Sequence, residues 1–252
     1  MGNLQSKRAL VTGSGQGLGR AIAMELIQQG CSVAVHYHRS ADGAQSLKEW
    51  APQAAKVSCF QADLTSEVEA KALVDNAVDF LGGLDILINN TGDLIGRCKV
   101  EDLETEFWQR VINVNVTSTM LVTRYAVAHL VAAKESSIVN LASLAGRMGG
   151  HPGSLAYSTA KGAILTWTRA LAKELGPRGV RVNAIAPGLI LGTAFHNTHT
   201  TTDSANASIA GIPLGRAGTP KDVARAVAFL ASEYDGFISG ATIDINGGVF
   251  GC

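Results

Sequence analysis

Tyr157 and Lys161 stand four residues apart in a stretch that reads as helix, so they share one face. A free tyrosine titrates near pH ~10 and exchanges protons poorly at neutrality. An ammonium beside it stabilises the phenolate and lowers that value. The pair therefore suits general acid/base work between an alcohol and a carbonyl. Ser143 follows the apolar run Ile138–Leu141, at the carboxyl edge of what would be a sheet, where its hydroxyl could bind the same substrate oxygen. Taken singly these are common features: Tyr-x-x-x-Lys also occurs on surface helices, and a lone serine after a strand also caps turns.

A second set of residues points to a nucleotide. Gly13, Ser14, Gln16, Gly17, Leu18 and Gly19 lie in a glycine-rich turn between the first apolar run and the first helical stretch. Such a turn lets a pyrophosphate approach the backbone, and the helix start presents free N–H groups to it. The spacing is not the literal GxGxxG. The next strand ends Val35-His36-Tyr37-His38-Arg39-Ser40, with no carboxylate where a binder of the unphosphorylated dinucleotide usually places one. Arg39, with the two histidines and Ser40, could instead hold a 2′-phosphate; the alternative is a solvated turn arginine. This predicts NADP(H) as the preferred cofactor, with NAD(H) possible. Gln16 argues the other way, because a basic residue in the turn would favour the phosphate.

These residues need a frame, and the pattern supplies one. Apolar runs at Ala9–Thr12, Val33–Val35, Val57–Phe60, Leu84–Ile88, Ser137–Leu141, Val180–Ile185 and Ala241–Ile245 alternate with helical stretches. The helical stretches fall at about 18–29, 44–50, 67–80, 104–133 and 156–175, with a late one marked by Val223, Ala226, Val227 and Leu230 at helical spacing. Alternation of this kind predicts an α/β fold, a single-domain doubly wound parallel sheet with helices on both faces. Continuous apolar strands fit a sheet buried on both sides. The whole chain, 1–252, reads as one domain. Residues 188–218, polar and placed after a strand, read as a substrate lid or a plain surface loop.

The chain is 46% hydrophobic and 17% charged, with formal net charge zero. That excludes disorder and argues against a nucleic-acid binder that relies on a basic surface. Cys31, Cys59, Cys98 and Cys252 form no CxxC pair or zinc-ligand spacing, so no metal is expected. His196 and His199 have no carboxylate cluster to complete a metal site and read as lid residues. Trp50, Trp108 and Trp167 read as helix packing. No apolar run suggests a membrane span, and the start lacks a signal-peptide core, so a cytoplasmic protein is expected.

The ordered motifs together resemble the short-chain dehydrogenases/reductases. They are Thr12-Gly-x-x-x-Gly17-x-Gly19, Asp63-Leu64, Asn89-Asn90-x-Gly92, Asn115, Ser143, Tyr157-x-x-x-Lys161, Pro187-Gly188 and Asp244-x-Asn246-Gly-Gly248. The resemblance implies a seven-stranded doubly wound sheet, usually a homotetramer. It implies Tyr157 as the acid/base, Ser143 orienting the carbonyl, and Lys161 binding the nicotinamide ribose while lowering the tyrosine pKa. It implies Asn115 holding a relay water, Asp63 and Leu64 near adenine, and Asn89 with Asn90 on the adenosine side. Pro187, Gly188 and Ile190 would border the nicotinamide. Three departures stand out. Thr91 replaces the usual alanine. The Ser143–Tyr157 interval is about one residue longer than is common. Gly192 occupies the place of the usual nicotinamide-binding threonine, so either Thr193 takes that role or the contact is absent.

The expected activity is carbonyl/alcohol interconversion with a nicotinamide cofactor, on a small-molecule substrate. A lid rich in His, Asn, Thr and Ser suits a hydroxylated substrate, and Arg97, Arg147 and His196 are candidate contacts for a sugar-derived keto or aldehyde acid. Gly92–Arg97, Thr193–His196 and Asn246–Gly248 resemble stretches of uronate-derived keto-sugar reductases in the family. The competing activity is 3-oxoacyl-carrier-protein reduction. A non-catalytic dinucleotide sensor is the rival of another class, against which the presence of Asn115, Ser143, Tyr157 and Lys161 together argues.

Overall fold

A computed structural model describes residues 4–193, 198–232 and 236–251. Its sheet comprises β1 (Arg8–Val11), β2 (Ser32–Tyr37), β3 (Val57–Gln61), β4 (Ile86–Asn89), β5 (Ser136–Leu141), β6 (Val180–Pro187) and β7 (Thr242–Ile245). The strands run in the order β3-β2-β1-β4-β5-β6-β7, and every pairing is parallel. The order reverses between β1 and β4, which opens a crevice at their carboxyl ends, where ligands bind in folds of this kind.

Successive strand side chains face opposite ways, so the sheet has two cores. On one face Val11, Val33, Val35, Ile88 and Val139 pack with α1 (Gly17–Gln28), α2 (Ala41–Trp50) and the last helix. On the other Leu10, Ala34, Leu87 and Ile138 pack with α3 (Glu67–Leu81), α5 (Ser118–Ala132) and α7 (Leu155–Leu175). Local signals set the helix ends. Ser66 Oγ accepts from Glu69 N to start α3, and Gly82 ends it at φ +79. The last helix, α9 (Pro220–Ala231), begins with a Thr219–Asp222 capping box followed by proline.

Three features add detail to the sequence expectation. The helical span 104–133 is divided: α4 (Thr105–Ile112) meets α5 through a π turn at Asn113–Thr117. Residues 188–218 are not all loop, because they contain α8 (Thr202–Ala210), started by Thr201. A short helix, α6 (Ala145–Met148), fills part of the β5–α7 connection. Trp108 and Trp167 pack as expected, whereas Trp50 is exposed. Among the described residues no helix is long and apolar enough to cross a membrane.

Candidate active site

A cleft of roughly 1140 Å³ runs along the carboxyl edge of the sheet. Ser143, Tyr157 and Lys161 line it together. β5 delivers Ser143 and α7 delivers the other two. Tyr157 and Ser143 share a hydrogen bond. Lys161 Nζ donates to Leu141 O at 2.8 Å and lies 5.7 Å from the Tyr157 ring centroid. Burial pushes the Tyr157 phenol up to about 12, while the Ser143 hydroxyl pulls it down. The shift is opposite to the expected lowering, because desolvation disfavours phenolate more than the Ser143 hydrogen bond favours it. Burial likewise lowers Lys161 to about 8.

Gly92 brings the loop after β4 against this cluster. A Cβ there would sit 2.5 Å from Asn115 Oδ1 and 2.7 Å from Lys161 Nζ. Asn115 itself is fully buried and does not face the cleft. Its Nδ2 donates to Asp93 O at 2.7 Å and Val111 O at 2.9 Å, and its Oδ1 accepts from Asp93 N at 3.2 Å. The side chain is thereby committed to pinning the post-β4 loop. Its backbone carbonyl accepts from Thr119 Oγ1 at 3.1 Å.

At the other end Gly13, Gln16, Gly17 and Leu18 face the cleft, as do Tyr37, His38, Arg39, Asp63 and Asn90. Gly13 and Gly17 have φ of +62 and +56, a conformation that favours glycine. Asn90 Nδ2 donates to Thr12 O and Gly13 O at 2.9 and 3.1 Å, bracing the turn. Burial would raise the Asp63 carboxyl, but Thr65 hydrogen bonds and the His38 and Arg39 charges hold it below its ordinary value. Pro187, Gly188, Ile190 and Thr193 close the cleft from β6. The turn fits a dinucleotide: nothing stands over Gly17 nearer than Thr193 Cβ, 3.8 Å from where its own Cβ would be.

Residues 13–250 match the family described as enoyl-(acyl carrier protein) reductase. Glucose 1-dehydrogenase 2 of Bacillus subtilis is 35% identical, over 98% of this chain and 96% of that protein. A 3-oxoacyl-(acyl-carrier-protein) reductase of Staphylococcus aureus is also 35% identical, over 97% and 98%. Among solved structures, an NADH-dependent reductase responsible for alginate metabolism superposes with TM-score 0.87 at 32% identity, covering 99% of each chain. The chain belongs to the short-chain dehydrogenase/reductase family. It is an oxidoreductase acting between alcohol and carbonyl groups with a nicotinamide dinucleotide.

Several residues marked out by family resemblance or type do not reach this family's cleft with their side chains. Ser14 is buried: its Oγ donates to Val11 O at 2.7 Å and accepts from His36 N at 3.1 Å. Gly19 is buried because a Cβ would lie 2.3 Å from Gly13 O, so its part is close packing. Leu64 packs in the α3-side core. Asn89 is not on the adenosine side, since its Nδ2 donates to Thr123 Oγ1 and Asn140 Oδ1 beneath the sheet edge. Arg147 does not face substrate, because Asp244 engages its guanidinium through two 3.1 Å contacts. His36 is no phosphate ligand: the ring is buried, and both nitrogens are used, on Gly13 N and Ala62 O. His196 lies outside the described residues.

The cleft also gathers residues the sequence did not single out. Asp93, Arg110, His151, Thr200, Ser204 and Ser208 line it beside Arg97. Their types carried no local motif. The only signal was position, in the connections after β4 and β5 and in the lid. Among the described residues no cluster of three metal-ligating groups occurs.

Proposed function

We propose that the protein reduces a small, polar, sugar-derived keto or aldehyde acid with NADPH. The carrying observation is the hydrogen-bonded Ser143–Tyr157 pair beside Lys161, in a cleft whose far wall holds Arg97, His151, Ser204 and Ser208. Gly13, Gly17, Arg39 and Lys161 would hold a reduced nicotinamide dinucleotide in the cleft, which would supply a hydride, by family resemblance the pro-S one, for the carbonyl carbon. Tyr157, protonated at neutral pH because burial holds its proton on, donates that proton to the carbonyl oxygen. Ser143 orients the oxygen, and the Lys161 charge stabilises the phenolate left behind. Thr193 would take the nicotinamide-amide contact, and Asn115 would hold the relay water at its backbone carbonyl.

The NADPH preference rests on Arg39, exposed in the cleft at the end of β2 with no carboxylate at Tyr37. The alginate-metabolism reductase is NADH-dependent, so this preference is argued from the arginine alone. Alginate is a polymer of uronic acids, which favours the acid reading for a relative of this similarity. The Staphylococcus reductase favours a second reading, 3-oxoacyl-thioester reduction. A homotetramer in a reducing cytoplasm, where Cys31, Cys59 and Cys98 stay free, completes the proposal; light scattering tests the assembly. The activity test is NADPH oxidation with keto-uronates, sugar aldehydes, simple ketones and acetoacetyl thioesters. Turnover of keto-uronates is expected, and turnover of the thioester alone would replace this reading with the second.

A further inference from the structure

Beside the cleft lies a partly open side chamber of roughly 280 Å³ lined by Arg97, His151, Pro152, His199, Thr201 and Ser204. Arg97, His151 and Ser204 line both spaces, so the chamber borders the catalytic cleft.

The chamber is assembled from three separate parts of the chain. Arg97 comes from the connection after β4, His151 from the connection before α7, and His199 with Thr201 and Ser204 from the lid. The first two are locked together by the backbone. Cys98 N donates to Gly153 O at 2.8 Å, and Cys98 and Ser154 form an isolated parallel bridge. Gly153, at φ +80, allows the approach, since a Cβ there would lie 3.0 Å from Arg97 Cβ. Arg97 Nη1 donates to Pro152 O at 3.3 Å, which aims the guanidinium along the chamber wall and leaves most of its five N–H donors for another partner.

The polar chemistry of this wall is mainly that of donors. Arg97 carries a permanent charge, His151 adds an imidazole, and Thr201 and Ser204 add hydroxyls at the start of α8. Asp93 is the counter-charge, with Oδ1 3.4 Å from His199 Nε2; it steadies the imidazole of the lid against the post-β4 loop. We infer that the side chamber binds an anionic oxyacid group of the substrate, a carboxylate, at a fixed reach from the carbonyl that Tyr157 protonates. The inference rests on the carbonyl-reductase reading above and narrows it to carbonyl compounds with an acid group remote from the reacting carbon. A phosphate on a thioester carrier arm offers the same chemistry from another source.

The test compares Arg97→Gln and His151→Asn with the unaltered protein on paired substrates. One pair is a keto-uronate and its uronamide. The other is an acetoacetyl thioester with coenzyme A and one with the phosphate-free N-acetylcysteamine. For the first pair, Arg97→Gln should raise KM for the acid about tenfold or more, the scale of one charged hydrogen bond. The rise in KM should be several-fold smaller for the amide than for the acid, and His151→Asn should act in the same direction, more weakly. If neither sugar compound is turned over, the keto-acid reading fails on its own, and the chamber is judged on the thioester pair. A selective KM penalty on the coenzyme A thioester would then support the anion site and assign its occupant as a phosphate. Equal effects on charged and neutral members in whichever pair is active would overturn the inference, as would a wild-type preference for the neutral member.

Discussion

His36 Nδ1 lies 2.9 Å from the Gly13 backbone nitrogen, and the opposite ring nitrogen lies 3.0 Å from Ala62 O. Gly13 can only donate, so Nδ1 must be the acceptor and the proton must sit on Nε2, donating to Ala62. One neutral imidazole thereby ties the glycine turn to the segment that carries Asp63.

Burial lowers His36 to about 4, and neighbouring His38 adds to the effect. The unfolded chain takes up the proton near pH ~6.5, the folded chain only near 4, so stability is full above the first value and falls as pH drops between them. The loss is on the order of 3 kcal/mol. Urea unfolding from pH 7 to 4.5 should show this decline. His36→Asn, which removes the titrating group, should flatten it; identical slopes in both proteins would remove His36 as the cause.

Tyr157→Phe should lower turnover at least about a hundredfold, the low end for a positioned acid/base group. Dinucleotide affinity, followed by fluorescence titration, should hardly change. Turnover within a few-fold of the unaltered protein would remove the phenol from the mechanism.

Arg39→Ala should cost NADPH-dependent kcat/KM about tenfold or more, with little effect on the NADH reaction, as expected on losing a charge-assisted contact to phosphate. Steady-state kinetics with both cofactors decide it. A wild-type preference for NADH would sink the assignment.

Arg147→Ala separates structure from substrate contact. The Arg147–Asp244 pair is mostly buried, at 13% and 14% side-chain exposure, and the guanidinium sits 5.7 Å from the Phe250 ring centroid. Its loss should cost about 2 kcal/mol, below the full penalty for a buried pair because water still reaches it. Thermal unfolding should drop by several degrees, while KM for an acidic substrate stays unchanged. A KM effect comparable to that of Arg97→Gln would return Arg147 to the substrate site.

The sheet was legible because a parallel sheet covered on both faces leaves continuous apolar runs, and all seven were visible. The catalytic cluster was legible because Tyr157 and Lys161 share one helix and Ser143 directly follows a strand. What stayed hidden depends on neighbours distant in sequence. Arg147 and Asp244 are 97 residues apart, so nothing local marks the arginine as taken. His36 was grouped with His38 as a possible phosphate contact because strand alternation alone does not say which face receives a loop. The tyrosine shift was not legible because a motif shows the ammonium but not the burial that raises the phenol.

The π turn at Asn113–Thr117 has a consequence for how α4 and α5 are joined. A widened turn slips the helical phase, so the buried stripe before it does not continue after it. Val111 packs beside Tyr157 in one small cluster, while Leu121, Val122 and Ala126 face the main core behind the sheet. The hydroxyls of Ser118 and Thr119 take up carbonyls four residues back, at 2.7 and 3.1 Å, where the ladder is loosened. One continuous rod thus serves two masters, its first half shaping the reaction chamber and its second half holding the scaffold. The slip sits where Asn115 turns inward to grip the loop between them.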